Sequence, residues 1–414
     1  MREASVDAEI IVVGGGPAGA STAHALASSG HDVLVLDRAR FPRDKVCAEY
    51  LSPQASRILA LMGALEEIER SGPAHLAGME VRAPNGRTVR GEFAAVRGFR
   101  PFRDRGLAIR RTVLDDILIR RAVAAGARLE EGTRISDVLR SADGKVTGVA
   151  GRDASGAARD FRARIVVGAD GLRSVVGRRL GLVRAARWPK RIALVAHYRN
   201  VAGIGVMGEM HVDRDGYLGM VDVGGGVTNV AVVVPVSGAG RVVEGKAEFL
   251  EEWIAARPSI AERFVGAERI DAVRATGPFA SAAKKAWAPG AALVGDAADF
   301  YDPFTGEGIY AALRGGELLA PFIAESLRPG APAERALAAY DAARIEQFSG
   351  KWKVERLVGM AVAYPAMMNR MAGVLSRRKD MADLLVGVAG DFVPPRAVLN
   401  PKFLLTLFFS PVRA

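Results

Sequence analysis

The sequence is poor in the residues that staple or metallate folds. Its 414 residues include a single cysteine, Cys47, so an internal disulfide and a cysteine zinc site are excluded. Histidine is scarce too: His24, His31, His75, His197 and His211 are the whole set. None of them share the spacing of paired ligands on a helix, so no metal site is expected. No run of about 18 or more uninterrupted apolar residues occurs, so no transmembrane helix is expected. Met1 to Glu9 carries acids and no apolar stretch, so a secretory leader is not expected and a cytoplasmic location is.

Acidic residues are the minority charge, 46 against 57 Lys and Arg, for a net charge of +11. Such an excess suits nucleic acid, an anionic membrane or anionic cofactors. The arginines are scattered rather than gathered in a tract, and no nucleic-acid motif accompanies them, so no nucleic-acid partner is expected. Attraction to an anionic membrane surface stays open.

What the chain does have is an ordinary globular composition, 50% hydrophobic and 25% charged, at a length that implies two or three domains. Its most informative stretch is Ile10-Ile11-Val12-Val13-Gly14-Gly15-Gly16-Pro17-Ala18-Gly19. Four β-branched residues in a row predict a strand buried on both faces. Gly14-x-Gly16-x-x-Gly19 then leads into a helix from Ala20, and a second strand ends at Asp37. Strand, glycine turn, helix, strand and acid form the dinucleotide fingerprint. Gly14 permits the tight turn, Gly16 lets the backbone approach a pyrophosphate, and Gly19 lets helix and sheet pack closely. Pro17 and Ala18 lie inside that turn. The helix start offers free N–H groups to phosphate, and Asp37, followed by Arg38, can accept from ribose hydroxyls. The fingerprint alone does not separate NAD from FAD.

The loop from Phe41 to Pro53 follows that acid directly and can lie along the dinucleotide. Arg43 or Lys45 can meet a phosphate there, and Cys47 can reach a redox ring; the plain reading is a surface loop with an incidental thiol. Met79–Arg90, broken at Pro84-Asn85-Gly86, is a hairpin. Helix Thr112 to Ala125 follows a short strand.

Two further strand ends carry the same kind of signal. Arg164 to Gly168 is a buried strand ending in Ala169-Asp170-Gly171, with a helix from about Ser174. Ala291 to Val294 ends in Gly295-Asp296 and is followed by Pro303-Phe304-Thr305-Gly306-Glu307-Gly308, where another helix starts. Strand C-termini beside helix N-termini are where open α/β sheets bind ligands. Between the two, Arg191 to Val236 alternates as antiparallel strands, which predicts a second sheet; one of its faces can cover a substrate cavity, and strands this apolar can equally be plain core. From Ala331 onward the chain reads as helical, with helices Ala333 to Phe348, Val354 to Leu375 and Ala382 to Val388. Its apolar tail, Phe403 to Phe409, can lie on a bilayer, dock in the core or join a dimer.

These three segments, in this order, resemble the FAD-dependent monooxygenase and geranylgeranyl reductase superfamily. Arg111-x-x-Leu114-Asp115-x-x-Leu118 is a fourth match. The resemblance implies an α/β fold: a Rossmann-like FAD-binding domain, an inserted antiparallel substrate sheet and a helical C-terminal region. The FAD domain would comprise 1–75, 106–190 and 285–330, the substrate domain 76–105 and 191–284, and the helical region 331–414. It implies FAD as the held dinucleotide, with NADH or NADPH as a visiting reductant. By position it places Gly14, Gly16, Pro17, Ala18, Gly19, Asp37, Arg38, Lys45, Cys47, Arg111, Asp170, Gly171, Ser174, Asp296, Pro303, Gly306 and Gly308 around that cofactor.

Lys45-Val46-Cys47-Ala48-Glu49 resembles the reductases' Lys-x-Cys-Gly-Gly segment, with Ala48 and Glu49 in place of glycines, and makes Cys47 the candidate catalytic residue. The segment also resembles the Gly-Glu segment of flavin-dependent halogenases. The reductases' Tyr-x-Trp-x-Phe-Pro strand corresponds to Tyr217-Leu218-Gly219-Met220-Val221-Asp222, without the tryptophan or the Phe-Pro. Tyr217 and Met220 are the candidate substrate contacts there. The halogenases' Trp-x-Trp-x-Ile-Pro is absent. The expected function is a monooxygenase hydroxylating an apolar aromatic, polyketide-like or isoprenoid-derived small molecule. The alternative is saturation of polyprenyl double bonds, and the remaining one is a flavin-binding carrier without catalysis.

Overall fold

In the computed structural model, residues 6–185, 190–279 and 281–411 are described; the first five residues of the opening segment lie outside them. Strand Ala8–Val13 sits in the middle of a parallel sheet, in the order Ala291–Leu293, Ala158–Gly168, Ala8–Val13, Val33–Asp37, Arg128–Glu131. Ile11 faces Val166 on one side and Leu34 on the other. The unbroken apolar runs follow from burial on both faces: Val33–Asp37 is buried at every position. Helices Pro17–Ser28, Arg111–Ala124 and Gly308–Leu327 pack together against this sheet in one core.

The second sheet is built on the long antiparallel pair Arg191–Arg199 and Val227–Pro235. Gly216–Asp222 and Met207–Asp213 extend it. Strands from far earlier in the chain complete it, Gly78–Arg82 pairing in parallel with Met207–Asp213 and Thr88–Glu92 closing the edge. Side chains alternate across the pleat. Ala193, Tyr217, Val221 and Val233 face the C-terminal helices, whereas Leu194, Leu218, Met220, Val230 and Val232 face helix Lys246–Ala255.

The C-terminal region departs from expectation at one break. A single 31-residue helix, Ala333–Ala363, runs through the expected gap after Phe348, and the next helix, Pro365–Leu375, begins at a proline. Pro365 has no N–H to donate and clashes with the preceding turn, so it opens a helix rather than continuing one. Gly350 does not interrupt the long helix; it makes room for Pro395, whose side chain would lie 3.0 Å from a Cβ at that position. The tail forms helix Pro401–Phe409. Its Phe403 and Leu407 dock in the core, while Leu405 and Phe409 remain 58% and 75% exposed. Among the described residues no helix is long and apolar enough to cross a membrane.

Candidate functional site

Three strand ends converge on one cleft. Ala169 N–H donates to Val13 O at 2.9 Å and Val294 N–H to Gly168 O at 3.0 Å. This brings Gly14, Asp170 and Asp296 to the carboxyl edge of the same sheet. The glycines of the turn are dictated by space. Gly14 has φ +103, and a Cβ on Gly19 would lie 1.8 Å from Gly14 O. Helix Pro17–Ser28 starts with no side-chain cap, leaving its first N–H groups directed into the cleft. Asp37 Oδ2 accepts the Gly15 N–H at 2.7 Å, and Oδ1 accepts that of Ala39 at 2.8 Å. The acid therefore also ties the glycine turn to the neighbouring strand; Arg38 beside it is exposed.

The loop after Pro42 brings cations to this cleft. Arg111 grips Asp115 through Nε and Nη2, both at 2.7 Å, and Arg43 reaches the same carboxylate at 2.8 Å. Asp115 is fully buried. Two guanidinium groups thus share one carboxylate, leaving positive charge to spare. Lys45 feels it: burial, then Arg111 and Arg43, push its ammonium below the usual lysine value, against the pull of Asp296. A crowd of cations beside an uncapped helix start is a site for an anion. Opposite it, burial raises the Asp170 carboxyl. Its Oδ2 accepts the Val175 N–H at 2.6 Å, and its buried Oδ1 has no hydrogen-bond partner. Ser174 caps the short following helix through Gly177 N–H at 2.8 Å. Gly171 is left-handed, and Lys45 Nζ stands 3.3 Å from where its Cβ would be. Burial raises Asp296 as well, opposed by Lys45 and Arg111. Glycine cradle, free N–H groups, surplus cations and a bare buried carboxylate oxygen fit a dinucleotide with its pyrophosphate and polyol.

Cys47 has its thiol pushed up by burial, against the influence of Arg111. A thiol held protonated is a poor nucleophile. The Cys47 carbonyl accepts Asn229 Nδ2 at 2.9 Å, which ties the loop to the second sheet.

The Pro303–Gly308 turn forms the other wall. Asp302 Oδ1 accepts the Phe304 N–H at 3.0 Å and the Tyr217 hydroxyl at 2.9 Å, and Asp302 is ion-paired with buried Arg191. Gly306 is left-handed with Tyr50 against it, and Gly308 opens helix Gly308–Leu327. Glu307 pairs with Lys351 at 3.0 Å, and Lys351 also meets Asp391. Glu355, one turn along the long helix, is pushed up to about 8, first by burial and then by Glu307.

Tyr217 is buried at the joint between the second sheet and this turn, its ring edge-on to Phe304 at 5.0 Å. The expectation for Met220 is corrected: it packs on the opposite face of the sheet, under helix Lys246–Ala255. Residues three apart on a strand point to opposite sides, so Tyr217 and Met220 cannot share a cavity. Arg43, expected beside a phosphate, joins Asp115 in the cation cluster. Other residues come to the site unforeseen: Glu49, His197, Asn229 and Asp271 form a polar chain between the loop and the second sheet. Asp115 had a local signal, its place in the Arg111-x-x-Leu114-Asp115 motif. His197 and Asp271 had none, because only the tertiary fold brings them together.

A family model described as FAD binding domain matches residues 7–350. A menaquinone reductase of Mycolicibacterium smegmatis is 29% identical over 411 residues, covering 93% of this chain and 92% of that protein. A digeranylgeranylglycerophospholipid reductase of Methanopyrus kandleri is 30% identical over 376 residues, covering 84% and 89%. Among solved structures, the myxobacterial chondrochloren halogenase, a FAD-dependent enzyme, superposes with a TM-score of 0.77 at 26% identity, over 83% of this chain and 80% of that one.

Proposed function

Since the chain belongs to this FAD binding domain family, we propose that it is an NAD(P)H-dependent monooxygenase that hydroxylates an apolar aromatic, polyketide-like or isoprenoid-derived small molecule. That it is a FAD-dependent oxidoreductase follows from the family itself. The uncapped helix start at Pro17–Ser28 and the Arg43, Lys45 and Arg111 cations would hold the pyrophosphate, Asp37 the ribose and Asp296 the ribityl chain. The start of helix Gly308–Leu327, with its unpaired N–H groups, would back the edge of the ring that becomes anionic on reduction. The bound flavin supplies electron transfer and, in its reduced form, activation of dioxygen.

The chain's own side chains orient and exclude water. Tyr217 and Arg191, both holding Asp302, fix the ring-side turn against the second sheet, whose face there is packed by the C-terminal helices. The observation that carries hydroxylation over saturation is the strand Gly216–Asp222, which lacks the tryptophan and Phe-Pro of the reductases. The second reading, saturation of isoprenoid double bonds, is favoured by the two reductases that align along more than four-fifths of this chain.

Anaerobic and aerobic turnover separate the two readings. Purified yellow protein is given NADPH or NADH with prenylated quinones, prenylated glycerophospholipids and alkylated phenols, and the products are weighed by mass spectrometry. A gain of one oxygen atom that requires dioxygen supports the monooxygenase. A gain of two hydrogens under strict anaerobiosis overturns it in favour of the reductase.

A further inference from the structure

The tail helix Pro401–Phe409 is apolar on both of its sides. Phe403 and Leu407, one turn apart, are buried in the core shared with helix Pro365–Leu375. Leu405 and Phe409, also one turn apart, are exposed. At about 100° per residue they lie roughly opposite the buried pair. Leu404 and Phe408 occupy the flank between, half-buried.

Both ends of the helix are anchored, so this outer face cannot roll inward. Asn400 Oδ1 accepts the Phe403 N–H at 2.9 Å, and Asn400 Nδ2 donates to Ala397 O at 2.7 Å. At the far end Arg370, on the neighbouring helix Pro365–Leu375, donates to Ser410 O. Leu405 and Phe409 are thus held out from the surface by the packing of Phe403 and Leu407 beneath them.

Single exposed apolar side chains are ordinary. Two on successive turns of one helix, flanked by a half-buried leucine and phenylalanine, make a patch, and patches mark interaction sites. The charge around this one selects its partner. Lys402 lies on the same outer face, three residues before Leu405, and Arg396 stands just ahead of the helix; both are exposed. Neither meets a carboxylate among the described residues. From Phe392 to Ala414 the sequence holds Arg396, Lys402 and Arg413 and no acid, and Asp391, immediately before, is turned inward against Lys351. The whole chain carries a net charge of +11.

Size decides between a lipid surface and a second copy of this chain. A nine-residue helix is about 13 Å long and about 10 Å wide, so its outer face offers on the order of 150 Å². A stable dimer buries about 800 Å² on each partner. A bilayer needs no such matched surface: apolar side chains enter the acyl boundary, and lysine and arginine meet the anionic headgroups. We propose that the tail helix docks the protein on an anionic bilayer, with Leu405 and Phe409 inserted and Lys402 and Arg396 against lipid phosphates. The side of an interfacial helix that ordinarily faces water is here covered by the protein's own core.

The test floats the full-length holoenzyme with vesicles of phosphatidylcholine, alone or mixed with phosphatidylglycerol. Wild type should bind the mixed vesicles at least about 10-fold more tightly, a preference erased by high salt. Leu405→Ser combined with Phe409→Ser should weaken binding by about 10-fold or more and leave flavin content and melting temperature unchanged, because both side chains are exposed. Lys402→Glu combined with Arg396→Glu should abolish the preference for phosphatidylglycerol. In Phe409→Trp, emission from the new side chain should be quenched by lipids brominated in their acyl chains. Wild type that floats with neither vesicle overturns docking, as does equal binding to both or a double serine variant that floats like wild type. A wild-type dimer that the serine variant turns into a monomer, with no vesicle binding, overturns it in favour of a second copy. Should the serine variant fold poorly, quenching in Phe409→Trp decides by itself.

Discussion

Asp115 is held by Arg111 through two hydrogen bonds of 2.7 Å in a place with no exposure to water. Because Arg43 leans on the same carboxylate, removing that charge leaves two buried guanidinium groups without their counter-ion. Breaking a buried pair from one side costs about 3–5 kcal/mol. Asp115→Asn should lose stability of that order in urea denaturation, with the loss smaller for Arg43→Gln, which leaves the Arg111 pair intact. Equal losses would show that Arg43, not Arg111, is the main partner.

The glycine turn gives a sharper steric prediction. A methyl group at position 19 would sit 1.8 Å from the Gly14 carbonyl oxygen, whereas one at Gly205 meets nothing within 4 Å. Gly19→Ala should yield protein with less than about a tenth of the wild-type flavin, since a displaced turn takes the pyrophosphate N–H groups with it. Gly205→Ala should remain yellow. The ratio of flavin to protein absorbance reads both.

Glu355 makes stability depend on pH between the acid range and about pH 8. Its carboxyl is raised in the folded chain to about 8 from an ordinary 4.5, so between those values the folded state binds the extra proton and the unfolded state does not. Stability therefore falls as pH rises through that window, by at most about 1.4 kcal/mol per unit. Glu355→Gln should flatten the profile and be more stable than wild type at pH 9. A variant whose denaturation midpoints track the wild type from pH 5 to pH 9 would show that Glu355 ionises freely.

Met220 and Tyr217 should behave oppositely. Met220→Ala removes a core side chain beneath helix Lys246–Ala255 and should cost about 2–5 kcal/mol while leaving KM for substrate unaltered. Tyr217→Phe deletes the hydroxyl bonded to Asp302, at a cost of about 1–2 kcal/mol, and should change turnover by loosening the turn at Gly306. Steady-state kinetics beside thermal melts separates the two; a shifted KM in Met220→Ala would return that residue to the substrate side.

What the sequence reveals here is what is local. Gly14 to Gly19, Gly168 to Gly171 and Gly295 to Gly308 each pack strand, turn and helix start into a dozen residues or so, and turn chemistry is legible at that range. Met220 lies on the face opposite Tyr217 because the two-residue period of the strand, and not the motif correspondence, sets side-chain direction. The long helix runs past the expected gap after Phe348 because a single glycine such as Gly350 costs a helix only about 1 kcal/mol, less than packing returns. Glu49, His197 and Asp271 were illegible for a plainer reason. They are separated by 148 and 74 residues, and only the pairing of the second sheet decides which loop His197 will face.

The parallel sheet imposes an order of events on synthesis. Ala8–Val13 is sandwiched between Val33–Asp37 and Ala158–Gly168, and the latter takes its outer partner from Ala291–Leu293. The cofactor cleft thus cannot close until about three-quarters of the chain has left the ribosome, roughly 15–60 s after the glycine turn at ordinary elongation rates. Through that interval an apolar strand waits with one open edge, a target for aggregation and for chaperones. Yield of the yellow form should consequently respond to translation speed and chaperone supply more than to flavin supply, and a nascent chain stalled before residue 290 should capture no flavin at all.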